Sequence, residues 1–553
     1  MSVFIGYPSF MAYQMMKGKK DNNDGFPSIP GMIARYSALG LTNEQMAANP
    51  VWVDKTGNGH DLQMKNFLWG GMSGVGGYNQ NFNQWGYGNL STATQTHTSY
   101  KIELSVPSTL KTINIYSNAN SIGKEGDIYD FTLNIVGLKD GASLRITKGV
   151  VSGNIEMIEK DGIYKIYQPL ETSWDQLRIY IVISNPNLVD LNITIEQLPL
   201  YPGALVFDGV DDYGICDNFP ILTKEKGYTV VALRQHLINT PTAYLTANGD
   251  SIENSSFIME GNNLTDTWNF GKPTTIQISR ILATQTSKQY DGVNLNIGTN
   301  TESSNLLLVS KWNVRYSKVV IWELVFLDHD ATEEELTKIK DYFIKTYPWL
   351  FFDQAWTVVG KTNEDEDRAT IANITGNGND LILSNFGFIE GSGYNEEGEY
   401  AGYLVTDGVD DKTASSIFKL GKDFTVVGEW EFLQDINNNS GLRKTSSFII
   451  RNNTSGLSLL INRASQATIV FNVKSLKAFC SNGLLYKNDW TEQIDTESQL
   501  VTSSNSKLLI AFRDDGVTEY DKFAFKNLAI YPMVLSKDDC IKAYNYLQTL
   551  KAK

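Results

Sequence analysis

Two acidic strings concentrate oxygen donors within five residues each: Asp208-Gly-Val-Asp-Asp212 and Asp407-Gly-Val-Asp-Asp411. Asp208, Asp211 and Asp212 in one, and Asp407, Asp410 and Asp411 in the other, offer the carboxylate oxygens that Ca2+ prefers. One short turn supplies only part of the roughly six to eight oxygens that calcium takes. The plainer reading is a β-turn, in which aspartate accepts from backbone N–H groups two residues on and glycine supplies the positive φ. Ca2+ is thus an optional ligand, and no cofactor is required.

Catalytic constellations are scarcer. Glu429 and Glu431 flank Trp430 on an expected strand, so both face one side of a sheet, near the roughly 5 Å spacing of a retaining glycosidase pair. Their counterparts in an earlier copy of the same segment are Leu233 and Gln235, which cannot do that chemistry. The acidic run from Glu364 to Asp367 reads as a solvated loop or a helix start. His60 stands in a repeated motif where the other copy has Asn379, so a turn role fits it better than catalysis. His97, His236 and His329 sit beside no nucleophile or carboxylate pattern, and no triad is assembled.

Trp69, Trp85, Trp268 and Trp490 are candidates for stacking on sugar rings, because an exposed indole offers a flat apolar face with a polar edge. Most such residues in a chain with 11% aromatics belong to cores. Gly70 to Gly77, GGMSGVGG, lacks the Lys-Ser/Thr ending and following helix of a phosphate loop and reads as a flexible loop.

The elements that position these groups come in two copies. Thr56-Gly-Asn-Gly-His-Asp-Leu62 reappears as Thr375-Gly-Asn-Gly-Asn-Asp-Leu381, an offset of 319, while Thr42-Asn43-Glu44 matches Thr362-Asn363-Glu364 at 320. The Asp-Gly-Val-Asp-Asp strings match at only 199, so the first copy carries an insertion of 319 minus 199, or 120 residues. It lies between about Tyr78 and Tyr201. Leu324 through Tyr342 then matches Leu528 through Tyr546 at 204. Each copy closes with a helix whose start is a capping box, Thr332 with Glu335 and Ser536 with Asp539. Strands such as Gly203–Phe207 and Tyr228–Leu233 flank the acidic turn, and Tyr100–Val106, Asp130–Val136, Leu177–Ile183 and Leu191–Ile195 in the insertion alternate apolar and polar residues. That pattern predicts a small β-sandwich with one wet face per sheet.

At 553 residues the chain needs several cores, and 42% hydrophobic with 20% charged residues is a globular composition. A net charge of −15 argues against wrapping nucleic acid or lying on an anionic membrane. Cys216, Cys480 and Cys540 are widely spaced and form no CxxC or Cys/His pattern, which supports neither a disulfide framework nor a zinc site. The N-terminus places its apolar residues before its lysines, opposite to a secretory signal, and no stretch reaches the ~18 apolar residues of a membrane span.

The string Leu205-Val-Phe-Asp-Gly-Val-Asp-Asp-Tyr213, with the Thr-Gly-Asn-Gly-His-Asp-Leu string upstream and a strand-then-helix ending, resembles the laminin-G-like, concanavalin A-like lectin/glucanase superfamily. The second copy departs from it at Thr406 (for Phe207) and Lys412 (for Tyr213). The resemblance implies an all-β fold of two jelly-roll β-sandwiches, each closed by a short C-terminal helix. Expected domains are a leader at 1–30, a first jelly roll at 31–84 plus 200–349, an inserted β-sandwich at 85–199 and a second jelly roll at 350–553. The Glu-x-Asp-x-x-Glu strand motif usual in the family's glucanases is absent, so the chain is expected to be non-enzymatic.

The whole chain also resembles structural proteins of tailed phages of gut anaerobes, in which such a module is interrupted by a β-domain ending like Ile193–Leu205. That resemblance implies a virion protein, a head or tail fibre or decoration subunit, made in the host cytoplasm and released by lysis. Its implied partners are other virion proteins, two further copies of itself in a homotrimer, and a host-surface or mucosal glycan, with no nucleic acid and no membrane insertion. The alternatives are a free or cell-surface carbohydrate-binding protein and a glucanase-like glycoside hydrolase.

Overall fold

A computed structural model describes residues 24–552 apart from 89–92, 107–111, 117–127, 149–153, 170–176, 186–190, 223–226, 238–243, 250–256, 261–274, 282–287, 291–294, 298–304, 376–377, 435–439, 445–446, 454–455, 462–467, 472, 495–503 and 512–519. The chain is largely β-stranded, in several sheets, with few short helices. Residues 1–23 of the expected leader and Trp268 lie outside the described residues. Two compact units divide it, one within 18–337 and one from Lys338 to Lys553.

In the first unit a seven-stranded sheet runs Lys288–Tyr290, Thr275–Ile281, Tyr228–His236, Lys318–Leu327, Leu205–Asp208 and Gly74–Val75, with Met32–Ser37 also paired to Lys318–Leu327. A second runs Val51–Trp52, Leu62–Lys65, Tyr213–Cys216, Leu307–Val309, Tyr244–Asn248, Phe257–Glu260 and Leu295–Ile297. The two share one core that includes Trp52, Leu62, Phe207, Val230, Val309 and Phe326. Period-two alternation explains this: every second residue of each strand faces the partner sheet. Two five-stranded sheets built from 86–197 enclose a separate core around Phe131, Ile146, Ile179 and Ile193.

The second unit repeats the arrangement with two eight-stranded sheets around a core that includes Trp356, Phe418, Trp430, Ile450 and Phe525. Its Lys537–Leu547 helix begins where the capping box predicts: Ser536 Oγ accepts from Asp539 N at 3.2 Å. The Glu333–Thr346 helix starts the same way, with Thr332 N donating to Glu335 Oε2 at 2.8 Å and Glu335 N to Thr332 Oγ1 at 3.3 Å.

The repeated strings mark equivalent hydrogen bonds. Asp61 Oδ1 accepts from Asp54 N at 2.8 Å, and Asp380 Oδ1 from Asn373 N at 2.7 Å. The carbonyl of His60 accepts from the Tyr36 hydroxyl, and that of Asn379 from Trp356 Nε1 at 2.8 Å. His60 therefore serves the turn through its backbone. One reading changes and one open alternative is decided. GGMSGVGG is a fixed turn, because Gly70 and Ser73 pair with each other and Gly74–Val75 joins a sheet beside Leu205–Val206. The run at Glu364–Asp367 is the solvated loop of the two alternatives and starts no helix. Thr362 and Asp365 close it as a turn, Thr362 N donating to Asp365 Oδ2 at 2.9 Å.

Candidate functional site

Both acidic strings fold into the same turn, between the Leu205–Asp208 and Tyr213–Cys216 strands in the first copy. Val210 N donates to Asp208 Oδ1 at 2.7 Å, and Asp208 N donates to Asp212 Oδ2 at 3.0 Å. The second copy repeats these contacts at 2.7 Å from Val409 N to Asp407 and 2.7 Å from Asp407 N to Asp411. Ser73 and Ser392 each donate to the last aspartate at 3.1 Å. Much of each triad's oxygen is thus already spent on the turn, as the plainer reading expects. Even so, one carboxylate oxygen from each of the three lies within 4.8 Å of the others in both copies. Asp212 has no exposure, and burial, with repulsion from Asp208 and Asp211 adding to it, outweighs the two donors and pushes its carboxyl up to about 7. Asp411 is pushed up to about 6 for the same reason.

An aromatic pair stands beside the first triad. Tyr213 follows Asp212 directly, and its ring lies 6.1 Å from that of Tyr316, tilted by 52°. Lys311 Nζ sits 4.1 Å from the centre of the Tyr213 ring and 5.4 Å from that of Tyr316. Lys311 and Tyr316 come from a tight hairpin, Lys311–Trp312 paired with Arg315–Tyr316, locked at its base by Ser310 Oγ donating to Ser317 O at 2.7 Å. Tyr213, Tyr316 and Lys311 are all half-buried, so each keeps a wet face. The two amphipathic rings and the ammonium form one cluster, joined to the triad through the Asp212–Tyr213 step of the chain. In the second copy Lys412 replaces Tyr213 and stands 5.7 Å from the Tyr520 ring.

Glu429 and Glu431 do share one face of the Thr425–Phe432 strand, since Trp430 and Phe432 point into the core. Glu429 is nearly buried and accepts from Tyr403 Oη at 2.5 Å and Tyr544 Oη at 3.0 Å, with Lys526 Nζ at 3.9 Å. Burial, then the Glu399 carboxylate, holds the Glu431 carboxyl above its ordinary value. Glu431 opens onto a cleft of about 290 Å³ lined also by Val473, Lys474, Lys487, Asn488 and Asp489. The two carboxylates therefore have unlike surroundings, one enclosed by tyrosines and one open to a polar cleft.

The described candidate tryptophans fall into two groups. Trp85 is 5% exposed within the core of the inserted sheets, and Trp490 is 2% exposed against Tyr486 and Tyr544. Neither has a face to offer a ligand, which corrects the expectation for both. Trp69 is half-buried with one face stacked on Phe67 at 4.6 Å. Sequence reasoning ranked aromatics by indole and so passed over Tyr213 and Tyr316. The signal was present, since Tyr213 ends the motif string and Tyr316 matches Tyr520 at the offset of 204.

No family model matches the chain, and no curated protein matches it. Among solved structures it aligns with Trypanosoma rangeli sialidase in complex with sialic acid, at 8% identity over 83% of this chain and 84% of that one, with a TM-score of 0.24. A mutant of that sialidase displaying trans-sialidase activity gives 9% identity, 83% and 84% coverage and 0.28. A truncated AlyQ with CBM32 and alginate lyase domains gives 8% identity, 60% and 92% coverage and 0.19. At these scores no residue's role carries across. In this chain itself, two carboxylate triads stand ready-grouped. The expectation that the chain is non-enzymatic is accordingly corrected and set aside.

Proposed function

We propose that the chain is a carbohydrate-binding protein whose first-copy rim, Tyr213, Tyr316 and Lys311 beside Asp208, Asp211 and Asp212, takes a surface saccharide. The observation that carries this reading is the half-exposed tyrosine pair standing 6.1 Å apart next to an acidic turn. A pyranose presents apolar C–H faces and a fringe of hydroxyls. Aromatic faces cover the first, and charged or amide groups bond to the second. Ca2+ held by either triad would add a cation that sugar hydroxyls can approach, with Asp211 and Asp410 the exposed members of each set.

In this reading each pair of large sheets is a concanavalin A-like jelly roll, and the five-stranded pair is a sandwich inserted into the first. The test is glycan-array binding by the full chain, followed by calorimetry on any hit with Tyr213→Ala and Tyr316→Ala. Saccharide binding that both substitutions leave intact would remove the rim from the account.

Where the protein works is a separate proposal. The full-length resemblance of the sequence to tailed-phage structural proteins supports a virion fibre or decoration subunit, assembled as a homotrimer with other virion proteins. Immunogold labelling and mass spectrometry of purified particles test it. Particles without the chain would leave a free or cell-surface carbohydrate-binding protein.

A further inference from the structure

A polar network sets the second copy apart. Glu429, 9% exposed, accepts from Tyr403 Oη at 2.5 Å and from Tyr544 Oη at 3.0 Å, and Tyr544 Oη in turn accepts from Lys477 Nζ at 2.6 Å. At the positions of Tyr403, Glu429 and Tyr544 the first copy has Ala204, Leu233 and Lys340. A leucine serves the sheet there, and a buried carboxylate is costly unless it is hydrogen-bonded, so the network does more than hold strands together. It adjoins the cleft of about 290 Å³ at Glu431, two residues along the same strand face. Backbone hydrogen bonds fix the walls of that cleft. Phe432 N donates to Lys474 O at 3.1 Å, Leu476 pairs with Lys487, and the next turn closes through Lys487 N to Thr491 O at 3.1 Å and Trp490 N to Lys487 O at 2.9 Å. The buried Trp490 ring anchors this turn edge-on to Tyr544 at 5.7 Å, and Ser475 Oγ donates to Asn488 Oδ1 at 2.7 Å. Tyr544 thus ties the network to the cleft wall, and the cleft is built before any ligand arrives.

We infer that this cleft is a second ligand site, separate from the Tyr213–Tyr316 cluster, and that it takes a sugar unit bearing a carboxylate. Among the described residues that line it only Val473 is apolar, which disfavours an aliphatic ligand and suits a ring fringed with hydroxyls. Its volume lies at the small end of ligand pockets, which begin at ~300 Å³, so it seats a single unit rather than a long chain. The ammonium groups of Lys474 and Lys487 can meet a carboxylate with charge-assisted hydrogen bonds. Glu431 and Asp489 can accept from hydroxyls, and the Asn488 amide can donate to one. Burial, then the Glu399 carboxylate, makes Glu431 hold its proton more readily than an ordinary carboxyl, which leaves the two lysines dominant. A phosphate fits less well. It carries nearly two charges beside Glu431 and Asp489, and no arginine is among the described lining residues to grip it as a fork.

The bland alternative is a solvated notch whose charges only keep the surface wet. The test is titration of the full chain with glucuronate, galacturonate and N-acetylneuraminate, each against its uncharged methyl ester, followed by calorimetry and saturation-transfer NMR. At least one acid should bind about tenfold more tightly than its ester, and should weaken severalfold when salt rises from about 0.05 M to about 0.5 M, because screening acts on the ion pairs. Lys474→Gln and Lys487→Gln should each weaken the acid about tenfold, and together abolish its binding, with the melting temperature near that of the parent. Tyr213→Ala should leave acid binding unchanged, which separates this site from the saccharide site proposed in the first copy. No binding by any of the three acids, acid and ester bound equally, or acid binding that survives the double lysine variant or is lost in Tyr213→Ala, would overturn the inference.

Discussion

Asn43 and Asn363 grip the same backbone position in the two copies. Asn43 Oδ1 accepts from Val75 N at 2.7 Å while its Nδ2 donates to Val75 O at 3.2 Å, and Asn363 does both to Tyr394 at 2.8 and 2.7 Å. The neighbouring glycine in each copy makes room, since a Cβ on Gly74 or Gly393 would meet that Oδ1 at 2.4 or 2.5 Å. The short strand beside each acidic turn is therefore held by one amide. Asn43→Ala and Asn363→Ala should each cost about 1–3 kcal/mol, because two backbone groups lose their partner at once. Urea unfolding followed by intrinsic fluorescence measures this.

A buried arginine–glutamate pair distinguishes the first copy. Arg35 Nε donates to Glu323 Oε2 at 3.1 Å and Nη2 to Oε1 at 3.3 Å, with 3% and 0% exposure, and Arg35 Nη1 reaches Asp24 at 2.8 Å. The second copy has Ala355 and Asn527 at those positions and places its carboxylate on the adjoining strand, where Glu429 pairs with Asn527. Removing one partner of a buried pair strands the other, so Arg35→Met should destabilise the first copy by about 3–5 kcal/mol. The double change Arg35→Met with Glu323→Leu should recover most of that loss in thermal melts.

Stability should also depend on pH through the acidic turns. Burial pushes Asp212 up to about 7 and Asp411 up to about 6, against an ordinary 3.8. The folded chain then holds these protons more tightly than the unfolded chain does. Their contribution is complete below the ordinary carboxylate range and is lost as pH rises through about 6 to 7. For Asp212 the loss is on the order of 2–4 kcal/mol. Urea midpoints at about pH 5 and about pH 8 should differ less in Asp212→Asn than in the parent chain.

Calcium would reverse that loss, because a bound cation favours the ionised triad. If the triads hold it, millimolar Ca2+ should raise the melting temperature at about pH 8 and EDTA should abolish the rise, with ~2.7 kcal/mol gained at a hundredfold excess over Kd. Asp211→Asn and Asp410→Asn remove the exposed ligands and should cancel the effect. A melt indifferent to both reagents would leave the triads as turns alone.

The repeat was legible because its short strings are turn and clamp residues whose side chains bond to backbone, so few other residues could do their work. Asn43, Asp61 and Asp212 are of this kind. Glu429 and Glu431 were placed on one face by strand periodicity, but the tyrosines that enclose Glu429 come from a loop and a helix that no local pattern connects to it. Trp85 and Trp490 illustrate the converse: residue type states what a ring can do, not whether a core consumes it.

A saccharide platform made by Tyr213 and Tyr316 is open to calorimetry of the full chain with the best ligand from a glycan array. Tyr213→Ala and Tyr316→Ala should each weaken binding roughly tenfold, in line with about 1.4 kcal/mol per lost stacking face, while the melting temperature stays near that of the parent. Binding that survives both substitutions unchanged, or a full chain that binds no glycan at all, would mean that the two tyrosines are not a saccharide platform.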